Sequence, residues 1–274
     1  TPLRPVTAAT LPRVLETGVE PYRNRACWHT YGLFIGSLAA AADSLAAVRS
    51  LVYEKRRVTR KALLEALRDN FEGHPLLRQL CLEAPKFGND DDAVDHLAAD
   101  IARRFAAWVR RHRDRTGRPI LPGLYNHLFH HTANYVGATP DGRTFGDPVG
   151  EHLSPTPGAT RKGPTAVINS VAKIRTAEHI FGSTLHLNLP AASLAGSPDP
   201  AGILKSLTQA FCHKGGCVLN INVLDTAQLL EAQAHPERYR DLVVRVWGFS
   251  YYFVGLSREM QDHVIARSKA QWSA

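Results

Sequence analysis

The sequence has few cysteines, a single methionine and no long apolar run. Its 274 residues contain no uninterrupted apolar stretch near the roughly 18 residues that a membrane-spanning helix needs. The first thirty residues lack the basic segment followed by an apolar one that marks an export signal. The cysteines are too sparse for the disulfide framework of a small secreted domain; they are Cys27, Cys81, Cys212 and Cys217. We therefore expect a cytoplasmic protein with reduced, buried thiols.

The composition is that of a folded protein and excludes extensive intrinsic disorder. Hydrophobic residues make up 44% of the chain and charged residues 21%, which provides enough apolar content for a buried core. The length fits one large domain or two small ones, at roughly 150 residues a domain. The net charge is +8.

A run of arginines covers the end of a predicted helix and continues beyond it. Its members are Arg103, Arg104, Arg110, Arg111, Arg113, Arg115 and Arg118. No set of stacking aromatic residues is interleaved with them, and no helix-turn-helix pattern accompanies them. We interpret the run as a solvated helix face or a contact for an acidic partner subunit, in preference to a nucleic-acid site.

Three short groups contain residue types that bind metals in other proteins: Cys212-His213 with Cys217, His127 with His131, and Asp90-Asp91-Asp92. The Cys/His group lacks the second pair that a zinc site needs. The two histidines lack the H-E-x-x-H pattern, and the aspartates lack the alternation and the glycine of a calcium loop. We expect no metal site, and we place the aspartates at a helix N-terminus, where the helix dipole stabilises acidic residues.

Hydrophobic periodicity predicts helices in the first half of the chain and alternating helices and strands in the second. The early helices are predicted over 36–55, from a Thr59 cap to Phe71, and over 93–113, the last with Val94, Leu97, Ile101, Phe105 and Trp108 facing inward. The later helices are predicted over 165–173, 201–213 and 226–234, and the strands over 184–189, 217–223 and 243–246. This alternation favours an α/β fold with a buried sheet or barrel.

The stretch from Gly137 to Pro164 is rich in glycine, proline and aspartate, which are residues typical of turns. It is too long for an ordinary connection and indicates a loop with a structural or functional task. Within it, we expect Asp141 and Arg143 to fix the backbone of a turn through charge-assisted hydrogen bonds.

Two predicted strands carry asparagines among apolar residues. Asn188 lies near the end of one apolar strand, and Asn222 lies near the end of the next one. A buried asparagine needs hydrogen-bond partners, so these residues indicate a polar cavity or a loop that crosses the strand ends. They are weak candidates for substrate binding; the alternative is that they satisfy nearby backbone groups.

The C-terminal region contains a pattern that identifies a family. Arg245-Val246-Trp247-Gly248-Phe249-Ser250, followed by Gln261-Asp262 and Ile265-Ala266-Arg267, resembles the signature of the glycyl radical enzymes, the family of pyruvate formate-lyase and the diol dehydratases. Further blocks agree with the family in order and spacing: Asp43-Ser44-Leu45, Lys86-Phe87-Gly88-Asn89-Asp90-Asp91, Asp141-Gly142-Arg143, Gly163-Pro164-Thr165-Ala166 and Pro236-Glu237-Arg238-Tyr239. They are most similar to the dehydratase, lyase and decarboxylase branches.

The resemblance implies both a fold and a radical site. Residues 1–214 are expected to form the C-terminal part of a ten-stranded α/β barrel, and residues 215–274 a glycyl radical domain with a hairpin and a helix. The radical is expected on the Cα of Gly248, where it is delocalised into both flanking amides; this needs a planar centre that a side chain would crowd. A separate radical-SAM activase, which carries S-adenosylmethionine and an iron–sulfur cluster, is implied to install the radical, so this chain itself is expected to bind no cofactor.

The resemblance also implies a cysteine that the Gly248 radical oxidises to a thiyl, and here the sequence departs from the family. In dehydratase-like members that cysteine precedes Val-Glu-Pro, whereas this chain has Thr17-Gly18 before Val19-Glu20-Pro21. We expect the catalytic cysteine on another chain or on a missing upstream segment. Cys27 is the alternative thiyl site.

Two classes of function follow from the resemblance. The first is a radical lyase, dehydratase, decarboxylase or carbon–carbon bond-forming enzyme, which acts anaerobically on a small molecule after assembly with a Cys-bearing chain as a split hetero-oligomer. The second is a non-catalytic spare part or scaffold, which supplies a radical domain to a partner enzyme. A spare part needs only the radical domain, so the predicted barrel elements from residue 36 onward favour the first class.

Overall fold

The computed structural model describes residues 6, 9, 10, 12–18, 31–114, 117–126, 133–246 and 249–269. The helices are α1 (Pro12–Thr17), α2 (Leu38–Val48), α3 (Arg60–Arg68), α4 (Pro75–Glu83), α5 (Asp92–Arg110), α6 (Gly163–Ala172), α7 (Ala191–Ala195), α8 (Pro200–His213), α9 (Thr226–Ala234) and α10 (Arg258–Lys269). The strands are β1 (Tyr31–Ile35), β2 (Ile120–Leu124), β3 (Thr184–Pro190), β4 (Val218–Leu224), β5 (Val243–Val246) and β6 (Phe249–Tyr252). A π-helical segment, Arg49–Glu54, continues α2.

Four of the strands form a parallel wall. β1 pairs with β2, and β3 pairs with β4, both in parallel. A parallel bridge between Leu124 and Ser183 places the end of β2 beside the start of β3, and the Leu124 amide donates to the Gly182 carbonyl over 2.7 Å. Parallel neighbours need long crossover connections, which the intervening helices provide. The predicted α/β fold is therefore confirmed.

The main core packs helices α2 and α5 against each other along two stripes of alanine. Ala42 and Ala46 of α2 and Ala98 and Ala102 of α5 are fully buried in it. Small side chains let two helices approach closely. The prediction that Trp108 faces inward is wrong: the indole is 52% exposed, because the alanine stripe occupies the inward face and leaves no room for a large ring.

The predicted cap of the next helix is confirmed, but its predicted end is not. Thr59 accepts a hydrogen bond from the Ala62 amide, as the N-cap of α3. Phe71 lies beyond the last helical residue, Arg68, with a φ of 61°. Its ring is nevertheless buried, in a second apolar cluster with Leu63 and Cys81.

A third apolar cluster joins α9, β5, the turn after β6 and α10; we call these elements, together with β6, the C-terminal unit. The buried members of the cluster are Leu229, Ala232, Val244, Val246, Phe253, Val264 and Ile265. The side-chain amide of Gln261 donates to the carbonyls of Phe253 and Leu256. These bonds connect α10 to the turn after β6. The unit therefore has a core of its own, separate from the core behind the parallel wall.

Within the part of the chain that the structure describes, no helix combines the length and the apolar character needed to cross a membrane.

Candidate functional site

The β3–β4 pair has one apolar and one polar face. Leu185, Leu187 and Leu189 point into the main core, and because side chains alternate along a strand, His186 and Asn188 share the opposite face. The register pairs His186 with Asn220 and Asn188 with Asn222. A ladder of polar side chains therefore runs along the face of the wall that points away from the helices.

Asn188 and Asn222, the two substrate-binding candidates, contact each other across this ladder. The Asn222 amide donates to the Asn188 carbonyl oxygen over 2.9 Å, and both residues are buried. The expectation that each buried asparagine has a hydrogen-bond partner is confirmed, because the two side chains bond to each other. Substrate binding by the pair stays a prediction.

Beside the ladder lies a cluster of buried titratable residues: Glu151, His152 and His186. Their potential ligand atoms all lie within 4.8 Å of one another. The segment that carries Glu151 and His152 runs alongside β3. Two hydrogen bonds hold it there: the Leu153 amide donates to the Thr184 carbonyl, and the His186 amide donates to the Ser154 hydroxyl. His152 has a φ of 49°, a left-handed conformation that is uncommon outside glycine and often marks a functional or tightly packed position.

The hydrogen bonding of His152 argues against a metal in this cluster. Its ring lies between the rings of Tyr125 and His186, at centroid distances of 4.2 and 4.9 Å. Its Nδ1 accepts the Asn126 amide N–H over 3.0 Å, so the neutral ring carries its proton on Nε2. A protonated Nε2 does not bind a cation, so His152 does not act as a metal ligand in this arrangement.

The cluster reaches the C-terminal unit through Glu151. Its Oε2 lies 3.6 Å from Nε2 of His263 on α10, and these two side chains are 5% and 2% exposed. β3 and α10 are also in contact along this side. The C-terminal unit is therefore docked against the polar face of the wall through buried ionisable groups.

The hairpin of the C-terminal unit carries the predicted radical position. β5 and β6 are antiparallel and Val246 pairs with Phe249, so that Trp247 and Gly248 separate two directly paired residues in the sequence. Gly248 itself lies outside the described residues. Val244 and Val246 anchor the hairpin in the core of the unit, while Phe249, Tyr251 and Tyr252 are exposed.

Arg143 holds the long loop together, as its sequence predicts. Its guanidinium donates to the carbonyls of Val136, Gly137, Thr144 and Asp147 and to the Thr139 hydroxyl. These bonds use all five of its N–H groups. Asp141 accepts the Thr139 hydroxyl over 2.5 Å. The pair therefore fixes the backbone of the loop.

Asp43 and Lys86 are two buried ionisable groups behind this loop. Asp43 accepts the Phe87 amide over 2.6 Å and the Thr156 hydroxyl over 3.1 Å, but burial is the larger effect and raises the pKa of its carboxyl to about 7. Burial also lowers the pKa of Lys86, against the attraction of Asp43 and Asp141. The Lys86 ammonium donates to the carbonyls of Cys81 and Ala84.

The cysteines and the two histidines considered as metal ligands differ in whether the structure describes them and in whether they are buried. Cys27, His127 and His131 lie outside the described residues. Cys81 is buried as expected, and burial raises the pKa of its thiol to about 11. The expectation of burial is wrong for Cys212 and Cys217, which are exposed, because α8 ends at His213 and the glycines that follow lead over the surface to β4.

The aspartates at the start of α5 have the predicted role at a helix N-terminus. Asp91 is the N-cap and accepts the Ala93 amide. Asp90, Asp92 and Asp95 surround the Lys173 ammonium at 2.9, 2.6 and 2.8 Å. These acidic groups therefore tie α5 to α6.

Sequence reasoning did not find the cluster of Glu151, His152, His186 and His263. The four residues come from three distant segments, so no local motif contains them. One signal was available in the sequence: His186 lies between two leucines of an otherwise apolar strand, so its side chain is on the face opposite to theirs.

Comparison with known proteins identifies the family. The family model described as pyruvate formate lyase-like matches residues 3–133, and the model described as glycine radical matches residues 149–254. A probable dehydratase, YbiW of Escherichia coli, is 39% identical over 87% of this chain and 30% of its own length. The trans-4-hydroxy-L-proline dehydratase of Clostridioides difficile is 34% identical over 97% of this chain and 34% of its own length.

Solved structures agree with these matches. The glycerol-bound form of the B12-independent glycerol dehydratase from Clostridium butyricum superposes with a TM-score of 0.87 at 32% identity, over 96% of this chain and 34% of that protein. The chain thus spans about a third of the length of the relatives that it matches. It belongs to the glycyl radical enzyme family, forming part of that family's α/β barrel and containing its glycine radical domain.

Proposed function

We propose that this chain is the radical-bearing part of a glycyl radical enzyme of the dehydratase or lyase type, with the radical on Gly248. The observation that carries the proposal is the β5–β6 hairpin, in which the signature glycine separates two paired residues, Val246 and Phe249. Relatives named as dehydratases and as isethionate sulfite-lyases support the reaction class.

The proposed chemistry moves one hydrogen atom at each step. A radical-SAM activase removes a hydrogen atom from the Cα of Gly248. The Gly248 radical then takes a hydrogen atom from a cysteine thiol, which becomes a thiyl, and the thiyl takes one from a carbon of the substrate. Asn188 and Asn222 are proposed to face that substrate, since they lie on the polar side of the wall. The division at residues 214 and 215 between barrel and radical domain is proposed with it.

We propose that the thiyl cysteine is carried by another chain or by a segment upstream of this one. Cys81 is buried with a raised pKa, and Cys212 and Cys217 are on the surface; Cys27 is kept as the alternative. Exposed aromatic residues on β1 and β6 support a missing complement, because a solvated sheet edge with large apolar side chains invites a partner. These residues are Tyr31, Phe34, Phe249, Tyr251 and Tyr252.

The barrel elements favour catalysis over a spare part. A replacement radical domain does not need β1, β2 or the helices α2 to α5, which pack into the main core and the second apolar cluster. A chain that keeps these elements is suited to build half of an active-site wall.

Radical formation tests the proposal directly. The chain, with the protein that co-purifies with it, is activated anaerobically by a radical-SAM activase and examined by EPR spectroscopy, then exposed to air and weighed by intact-mass spectrometry. We expect a doublet signal and, after oxygen adds to the radical, cleavage that leaves a product ending at about residue 247. Gly248→Ala should abolish both effects.

Gly255→Ala is the matched control, because it lies in the same unit and a Cβ there meets nothing within 4 Å. It should keep both the signal and the cleavage. A radical signal without cleavage at this position would place the radical elsewhere. An active monomer formed by this chain alone would overturn the split arrangement and make Cys27 the thiyl site.

A further inference from the structure

A cavity of about 410 Å³ lies between the long loop and the C-terminal unit. Lys86, Arg143 and Arg161 line one side, and His263 and Ala266 of α10 line the other. Its volume falls in the range of small-molecule sites. Anything bound there would contact both parts of the molecule at once.

The walls of the cavity carry more positive than negative charge. Four cationic residues line it, Arg78, Lys86, Arg143 and Arg161, against two acidic ones, Asp141 and Asp147. Both carboxylates are already engaged within the loop: Asp141 accepts the Thr139 hydroxyl, and Asp147 accepts the amide and hydroxyl of Thr144. The surplus charge therefore favours an anion.

Arg78 already donates to the Gly142 carbonyl and lies 3.8 Å from Asp147, whereas Lys86 and Arg161 each have hydrogen-bond donors to offer a ligand. Lys86 is 8% exposed and uses two of its three N–H groups on the Cys81 and Ala84 carbonyls. Arg161 is held by its backbone amide, which donates to Asn89 over 2.7 Å; among the described residues, no carboxylate lies within ion-pair distance of its guanidinium. Arg143 contributes charge but no donor, because its five N–H groups are all used.

Lys86 and Arg161 repel each other, although the attraction of Asp43 and Asp141 for Lys86 is the larger charge effect. Burial lowers the pKa of Lys86, and the positive charge of Arg161 lowers it further. An anion placed between the two groups relieves this repulsion and gains charge-assisted hydrogen bonds from both.

We propose that this cavity binds a phosphate-type oxyanion, free or as the end group of a phosphomonoester, between Lys86 and Arg161, and that the bound anion holds α10 in its docked position. Binding follows from the charges and donors alone and does not depend on the radical chemistry. The effect on α10 follows by linkage, since a ligand that contacts both walls binds the docked state better than the undocked one.

The test uses the full chain with inorganic phosphate and, separately, adenosine monophosphate, at constant ionic strength. Isothermal titration calorimetry measures affinity, and hydrogen exchange measures the opening of α10. We expect Arg161→Gln and Lys86→Met each to weaken phosphate binding at least tenfold. Phosphate should slow exchange in α10 of the unmodified chain but not in these two variants. Tighter binding of the monophosphate than of free phosphate would identify a phosphomonoester as the ligand, and the reverse order would identify the free ion.

Arg104→Gln is the matched control, because Arg104 is an exposed cation outside the cavity that pairs with Asp100. It should leave phosphate affinity unchanged. Equal loss in Arg104→Gln and Arg161→Gln would indicate general attraction to a basic surface and would overturn the site. Binding that leaves exchange in α10 unaltered would overturn the link to docking. Because Arg161 is exposed and its side chain supports no described contact, a folding defect does not obscure the result.

Discussion

Glu151 and His263 form a buried contact between the parallel wall and the C-terminal unit. The carboxylate oxygen and the imidazole nitrogen are 3.6 Å apart, and both side chains are almost inaccessible to water. The C-terminal unit has its own apolar core, so its release from the wall breaks polar contacts without exposing that core. The energy of this contact therefore contributes directly to how firmly the unit is docked.

Removing either partner should loosen the C-terminal unit. In Glu151→Gln or His263→Gln the remaining buried group loses its ionisable partner, and a buried polar group that loses a partner is costly. We expect hydrogen exchange in α10 to be faster by about tenfold in each, which corresponds to roughly 1.4 kcal/mol. The double variant should lose less than the sum of the two, since contacting residues are coupled.

A surface pair provides the control for this cycle. His235 and Glu237 lie 3.8 Å apart but are 56% and 60% exposed, and exposed pairs contribute little. His235→Gln should leave exchange in α10 unchanged. Additive effects of Glu151→Gln and His263→Gln would show that the two residues do not act as a pair.

Arg143 should be essential for the folding of the long loop. Arg143→Ala leaves four carbonyls and a hydroxyl without their donor, at a cost of about 1 to 3 kcal/mol for each buried group that water does not reach. We expect a loss of at least about 3 kcal/mol in the free energy of unfolding, measured by urea titration. Arg143→Lys should recover only part of this, because an ammonium lacks the planar fork.

The exposed Arg104 again provides the comparison. Arg104→Ala should change the free energy of unfolding by less than about 1 kcal/mol, since its partner Asp100 is on the surface. A similar small effect of Arg143→Ala would mean that the loop is held by other contacts.

The sequence predicts what local chemistry determines. Turn residues and charges identified the role of Asp141 and Arg143, and caps and periodicity located α3 and α8. Periodicity failed for Trp108 because alanine is a weak apolar signal, so the larger residues suggested the wrong inward face of α5. The contact between Glu151 and His263 was beyond prediction, since it depends on how the C-terminal unit docks and not on any local pattern.

The buried carboxyl of Asp43 should make the chain less stable as the pH rises. Its pKa is about 7 in the folded chain against an ordinary value of 3.8. Between these values the folded chain keeps a proton that the unfolded chain has lost, so stability falls as the pH increases from about 4 to about 7 and is constant above. The full effect is roughly 4 kcal/mol. Asp43→Asn should remove it while keeping the acceptor for the Phe87 amide.

His179 should produce the opposite slope, and this makes the sign of the Asp43 effect measurable. Burial lowers the pKa of His179 to about 4, from 6.5. The unfolded chain therefore binds the extra proton between these values, and stability rises with pH over that range. In the unmodified chain the two slopes oppose each other. Urea titrations from pH 4 to pH 7 should show stability rising with pH in Asp43→Asn and falling with pH in His179→Gln. Parallel curves for the two variants would contradict the burial of both groups.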